Sequence, residues 1–544
     1  EALPWIKKAL EIRRLLAKAN PQKHEGDLAG TLNNLALLYY DMQRFDEAEV
    51  EYGEALEVYR RLAGRCSEKH EEYVATTLNN LANLHAATNR LEEAEKEYGE
   101  ALEAYRRLAR TNLEKYNGYV AGALNNLATL HASLNRFDVA EREYDESLEI
   151  RRQLARVNPE MSGEYVATTL INLANLHTGQ NRFDAAEREY GEALEVYRRL
   201  ADTNLEKYGE KVAGTLNNLA NLHTDLDRFD MAEREYDEAL EIRRRLAKIN
   251  PEMYEDDVAT TLNNLAVLHA DMRRYGEAAE EYSEVLAIRR RLARTWPERG
   301  EGNLAMTLNN LATMHKNLKR FVEAEQEYGE ALEIYCRLAE TSPVKYDGDL
   351  AGTLNNFANM NRDLKRFSVA EEKYDKALEI YRRLAGANPE KYEEHEAQTQ
   401  HNLALLCVEL TRLDEAAREF EEVLEIRRRL AKANPEKYEG DVAKTLLGFA
   451  AVHARLGLAE KAEAEANEAL AICRRLAQGD EAAYGGEIAA CEKLLAILKG
   501  RNRRRGCLAG AARIVECLLR VLIALLFLPW RGIRFVVRCF KAAK

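Results

Sequence analysis

Apolar residues in this chain fall at helical spacing, in blocks that recur every 46 residues. In one block Leu78, Leu81, Ala82 and His85 share a helix face, and Asn89-Arg90 then interrupts the pattern. Leu91, Ala94, Tyr98, Ala101, Leu102 and Tyr105 resume it along a longer second helix. Glu92 and Glu93 open that helix and Arg106-Arg107 close it, which suits the helix dipole at both ends. Asn-Pro pairs such as Asn158-Pro159, Asn250-Pro251, Asn388-Pro389 and Asn434-Pro435 separate successive blocks, because proline cannot continue a helix.

The phrase Leu-Asn-Asn-Leu-Ala marks the register. It begins at Leu32, Leu78, Leu124, Leu216, Leu262 and Leu308, takes Ile171 for its second residue at Leu170 and Phe357 for its fourth at Leu354, and degenerates at Gln400 and Leu446. Ten copies without an insertion predict an all-α solenoid whose size is a copy number, not a domain count. Two alanine columns, Ala36 to Ala450 and Ala48 to Ala462, run through all copies, and a tyrosine column runs from Tyr52 to Tyr374 and ends in Phe420. Small residues at fixed points let helix axes approach, and the rings fill the space beside them.

The spacing Leu78-x2-Leu81-Ala82-x2-His85 followed by Ala94-x3-Tyr98-x2-Ala101 resembles a tetratricopeptide repeat. Leu78 stands at the family's Trp, Ala82 at its Gly and His85 at its Tyr, while Arg106 replaces the closing Pro. The enlarged repeat and the Leu-Asn-Asn-Leu-Ala phrase resemble the kinesin-light-chain branch in particular. The resemblance spans about residues 1–499 and implies a right-handed αα superhelix of helix pairs with a concave inner surface. In phase with it, residues 1–28 are expected to be a truncated repeat, second helix and linker only, and thus part of a longer polypeptide. Residues 29–488 form the ten repeats, 489–499 a capping helix of an incomplete eleventh, and 500–544 a separate tail.

Charge separates the tail from the array. The chain carries −13 overall, but Lys499–Lys544 holds 12 Lys/Arg against Glu516 alone, so the tail is +11 and the rest −24. After Arg503-Arg504-Arg505 the tail turns apolar over 508–530, with Arg513, Glu516 and Arg520 on one helical stripe. A spanning helix needs about 20 apolar residues, and the longest uncharged run here is Val521 to Trp530. The tail is therefore read as a hydrophobic, basic helix that contacts membrane lipid. It either spans, with Arg513 paired to Glu516, or lies in the interface; packing against the end of the array is the third reading. Eight cysteines without paired spacing fit a reducing, cytoplasmic location. Cys507, Cys517 and Cys539 read as buried or incidental thiols rather than acylation sites.

Candidate chemistry is sparse. Seven of eleven histidines form one column: His85, His131, His177, His223, His269, His315 and His453. Zinc needs donors about 2 Å from one ion, whereas packed helices lie about 8–10 Å apart, so the column is read as packing and no metal or cofactor is expected. No phosphate loop, metal-ligand motif or nucleophile constellation is present, which points away from an enzyme.

The second Asn of each phrase forms a ladder at Asn34, Asn80, Asn126, Asn172, Asn218, Asn264, Asn310, Asn356 and Asn402. In similar tetratricopeptide proteins this position faces the concave side and binds the backbone of an extended peptide. An amide suits that task because it donates and accepts at once; the competing reading is an internal bond that sets helix spacing. Specificity is expected from two neighbouring columns. One holds Asn83, Thr129, Asn175, Asn221, Val267, Thr313 and Asn359; the more acidic other holds Ala87, Ser133, Asp225, Asp271, Asn317, Asp363 and Glu409.

The expected partner is thus an extended protein or peptide segment, neutral or basic, with lipid a second partner through 500–544. The −24 body argues against nucleic acid. A non-enzymatic interaction scaffold is the principal reading. The alternatives are the regulatory array of a signalling or effector enzyme whose catalytic domain lies upstream, and a spacer in a membrane protein.

Overall fold

The computed structural model describes residues 2–64, 68–477 and 481–503; the tail from 504, including the candidate membrane segment 508–530, lies outside the described residues. Among the described residues there are 22 α-helices and no strand. The chain divides into two compact units, residues 1–254 and 255–544.

The first unit contains α1 (Ala2–Ala19), α2 (Pro21–Asp41), α3 (Phe45–Ala63), α4 (Glu68–Ala87), α5 (Leu91–Thr111), α6 (Leu113–Ser133), α7 (Phe137–Val157), α8 (Pro159–Gly179), α9 (Phe183–Thr203), α10 (Leu205–Asp225) and α11 (Phe229–Ile249). The second is built from α12 (Pro251–Asp271), which starts just before the division, α13 (Tyr275–Thr295), α14 (Pro297–Asn317), α15 (Phe321–Thr341) and α16 (Pro343–Asp363). It continues through α17 (Phe367–Ala387), α18 (Pro389–Glu409), α19 (Leu413–Ala433), α20 (Pro435–Leu456), α21 (Ala459–Leu476) and α22 (Glu481–Arg503). Even-numbered helices carry the Leu-Asn-Asn-Leu phrase; odd-numbered ones carry the tyrosine column.

The 46-residue step resolves into two helices of 21 residues, a three-residue turn and one cap residue, as in α6 and α7. The Asn-Pro pairs are not linkers. The Asn is an N-cap and the Pro is the first residue of the next helix, a position where the missing N–H is no loss. Asn388 and Asn434 each accept the backbone N–H of the residue three further on, at 3.2 Å, and Asn112 and Asn204 do the same at 3.0 Å where Leu replaces Pro. Even helices therefore begin well before the phrase that reveals them: α4 starts at Glu68, not near Val74.

The hairpin turn is identical in every copy. Its middle residue takes a left-handed backbone conformation, at Gln43, Asn89, Asn135, Asn181 and Asp227 in the first unit and at Arg273, Lys319, Lys365, Thr411 and Gly457 in the second. Only Gly457 does so without a Cβ penalty, and Asn tolerates it through its short polar side chain. The return is fixed by a backbone bond such as Arg90 N–H to His85 O at 2.8 Å.

Both alanine columns are wholly buried, and the rings from Tyr52 to Tyr374, with Phe420, are 0–4% exposed. In the first unit each helix from α1 to α11 packs on the next, and in the second each from α13 to α22 does so; even helices also approach even neighbours across repeats, α2 on α4 and α6 on α8 in the first unit, α14 on α16 and α16 on α18 in the second. The even helices thus form the more closely spaced row of each stack, and the phrase residues lie along it.

Candidate functional site

The histidine column is an inter-repeat clamp. His85 Nδ1 lies 2.7 Å from Glu97 on its own hairpin's second helix, and Nε2 lies 3.3 Å from Glu49 on the preceding one. Arg90, from the turn, holds the same Glu49 with two bonds of 2.9 and 2.6 Å. His131 with Glu143 and Glu95, His177 with Glu189 and Glu141, and His223 with Glu235 and Glu187 repeat the geometry through the first unit. In the second unit His315 meets Glu327 and His453 meets Glu465. Among the described residues no cluster is arranged to hold a metal ion.

Burial by itself would push the His223 imidazole down, but hydrogen bonds and charge from Glu235 and Glu187 outweigh it and raise it above 6.5. Burial raises the carboxyls of Glu97, Glu143 and Glu189, against the pull of their histidines. Glu49, on the more open side, is lowered by its bond to Arg90.

The first expected specificity column is committed elsewhere. Tyr98 donates its hydroxyl to Asn83 Oδ1 at 2.5 Å, Tyr236 to Asn221 at 2.7 Å and Tyr374 to Asn359 at 2.6 Å, while Thr129 and Thr313 bond Tyr144 and Tyr328. These residues satisfy buried phenols, which would otherwise lose their partners on leaving water. Where Phe420 has no hydroxyl, the column holds Leu405. Val267 is the exception. It offers no polar side-chain atom to Tyr282, and in the same repeat Asn263 Oδ1 is buried with no partner among the described residues. The acidic column is also less free than its sequence suggests: Asp363 lies 3.4 Å from Lys316, and Glu409 lies 3.7 Å from the buried Arg362.

The second-Asn ladder divides in two. Nδ2 of Asn126 donates to Asn79 Oδ1 of the preceding repeat at 3.2 Å, and Asn172 to Asn125 at 3.2 Å. In the second unit Asn356 donates to Asn309 at 3.2 Å and Asn402 to Asn355 at 3.0 Å. Asn126, Asn172 and Asn356 keep one N–H and the carbonyl oxygen for another partner, so the internal bond and an outward role coexist on one amide, whereas Asn402 Oδ1 accepts from Gln398 Nε2 at 3.2 Å. Asn402 is buried; Asn126, Asn172, Asn264, Asn310 and Asn356 are half-buried. Asn310 accepts from Asn309 at 3.3 Å. Asn34 is exposed, Asn80 and Asn218 are half-buried, and the amides of these three have no partner among the described residues.

One further column on this row went unread in the sequence. Tyr105 bonds Thr76 at 3.0 Å and Tyr197 bonds Thr168 at 2.9 Å, both across to the even helix. The equivalent Arg151 donates to Tyr165 O at 2.9 Å and to the Thr169 hydroxyl. It is 7% exposed, and among the described residues no carboxylate lies within ion-pair distance of it; burial pushes its guanidinium down to about 10. The alternation of Tyr and Arg at Tyr59, Tyr105, Arg151, Tyr197 and Arg243 was the available signal.

Identical helix hairpins stacked through shared side-chain ladders define an α-solenoid repeat protein. The chain belongs to the tetratricopeptide repeat family: the family's pattern matches residues 27–107, 73–153, 119–199, 211–291, 257–337 and 349–429. No protein of curated function matches the chain. Among solved structures, the apo form of RapI superposes with a TM-score of 0.52 at 16% identity, covering 75% of this chain and 99% of its own, and shares the fold. BtubC (BKLC) from P. vanneervenii is 29% identical over 46% of this chain and 92% of its own, with a TM-score of 0.39. The apo quorum sensor NprR from B. thuringiensis is 15% identical, covering 70% and 95%, with a TM-score of 0.44. No helix among the described residues is long and apolar enough to cross a membrane.

Proposed function

We propose that the protein is a non-enzymatic, cytoplasmic interaction scaffold that holds an extended peptide segment along the row of even helices. The observation that carries this reading is the set of partly exposed amides at Asn80 and Asn218 that no group among the described residues uses, joined in the first unit by the half-used amides of Asn126 and Asn172. An amide with free donor and acceptor matches a peptide bond whatever its side chain, and a series of them at one repeat's spacing matches an extended chain. The segment is neutral or basic overall, and Arg151 offers a place for one acidic side chain within it.

Panning a random peptide library against the immobilised full chain tests this. The wild type is expected to enrich a peptide family, and the variant with Asn126, Asn172, Asn218 and Asn264 all changed to Ala is expected to bind it at least about 30-fold more weakly, at about 0.5 kcal/mol or more for each of the four changed amides. Unchanged binding by a variant with native helicity would sink the proposal.

The +11 tail tethers the array to anionic lipid in this proposal. Full-length protein should sediment with phosphatidylserine vesicles and a form lacking residues 504–544 should not; equal sedimentation of both removes the tether.

A further inference from the structure

One rung of the asparagine ladder differs from the others. In the first unit Asn126 and Asn172 each spend an N–H on the first Asn of the preceding phrase. The residue in that place before Asn218 is Ile171. An isoleucine offers no acceptor, and the whole Asn218 amide, one carbonyl oxygen and two N–H groups, has no partner among the described residues.

The surroundings add to this. Ile171 is half-buried and packs against the core of α8–α10, leaving part of its side chain open. One turn before Asn218 on the same helix face stands Gly214, where an added Cβ would come no nearer than 3.9 Å to Glu210 Oε1 and 4.0 Å to Arg243 Nη2. Those two groups are paired with each other at 2.5 Å. A Cβ at Gly214 would meet them in ordinary van der Waals contact, so the step is bordered on one side by an apolar side chain and on another by a closed ion pair.

We propose that the Ile171–Asn218 step sets the register of the bound peptide: one uncharged apolar side chain packs on Ile171 while its adjoining backbone amide is held at both ends by Asn218. This rests on the peptide-binding reading and narrows it to one place in the array. Elsewhere the amide is half spent, as at Asn126 and Asn172, or stands beside a polar residue, as Asn80 does beside Asn33, and slides equally well along any extended chain. Here a complete amide and an apolar contact coincide, and only one residue of a ligand satisfies both.

The test is the same random-peptide selection on the full chain, read by residue preference. Wild type is expected to enrich peptides with one apolar position in fixed register. Ile171→Asn restores the ladder acceptor and turns Asn218 back into the scaffold. The apolar preference should vanish, and the wild-type peptides should bind about tenfold more weakly. Asn218→Ala, which removes no bond within the protein, should produce the same loss, and Ile171→Val should retain the preference. Enriched peptides whose apolar position survives both Ile171→Asn and Asn218→Ala overturn the register step and leave peptide binding standing. Failure of the wild type to enrich any family overturns both.

Discussion

Replacing His223 with alanine should cost the first unit about 3 kcal/mol at pH 6 and distinctly less at pH 8. The side chain is 1% exposed, and it stands between Glu235 at 2.8 Å and Glu187 at 3.3 Å. Without the ring, two carboxylates face each other across a cavity, with only Arg228 on Glu187 to compensate. The pH dependence follows from the direction of the shift. His223 is held above 6.5 in the folded protein, so the clamp contributes its full stabilisation below about pH 6.5. That contribution is lost as pH rises through the folded value. At the acid end Glu187, lowered by Arg228 and His223 against its own desolvation, holds its charge until the pH falls below the ordinary carboxylate range. The wild-type array should be most stable near pH 5–6. Because repeat arrays do not unfold as one unit, the measurement is amide hydrogen exchange in α9, α10 and α11 of both proteins at the two pH values. An identical loss of protection at pH 6 and 8 would show that the ring is only filling space.

Tyr328→Ala should destabilise the second unit by about 3–5 kcal/mol, whereas Tyr328→Phe should cost only about 1 kcal/mol. The ring is fully buried, lies between the alanine columns and meets Phe357 with centroids 5.5 Å apart. Its hydroxyl has one partner, Thr313 at 2.9 Å, and Thr313 keeps a second bond to Asn309 O at 2.9 Å when the hydroxyl is removed. The natural pairing of Phe420 with Leu405 makes the same point within the chain. Amide hydrogen exchange in α14, α15 and α16 separates the two variants. Equal losses for Ala and Phe would place the energy in the hydrogen bond instead of the ring.

Periodicity made most of the fold legible. The helices, their pairing and the alanine and tyrosine contacts follow from 3.6-residue spacing inside a 46-residue step, because a repeated sequence must meet itself at each interface. Helix starts were misplaced, since the polar first turns of the even helices from Pro or Leu onward carry no apolar stripe and the Asn cap acts through its side chain. The candidate site was half legible. The Asn column was visible; its division into spent and unspent amides depends on partners 47 residues away, as with Asn126 and Asn79, and no local pattern encodes that. The Asn83 column looked like a free surface because its variation is between Asn and Thr, and only the nearby phenol explains why both serve.

One set of charge pairs runs forward. Arg106 reaches Glu146, Arg152 reaches Glu192 and Arg198 reaches Glu238, each forward to the following hairpin, as do Arg290 to Glu330 and Arg428 to Glu468. Turn arginines such as Arg90 to Glu49 and Arg136 to Glu95 reach back to the preceding hairpin, so the hairpin presents the same forward and backward charges at each such joint. A duplicated or deleted 46-residue segment leaves matching edges on both sides of the joint. For a gene encoding such a chain, the length of the array can change by recombination between copies without the evolution of a new interface, and ligand length becomes heritable as a whole number of repeats.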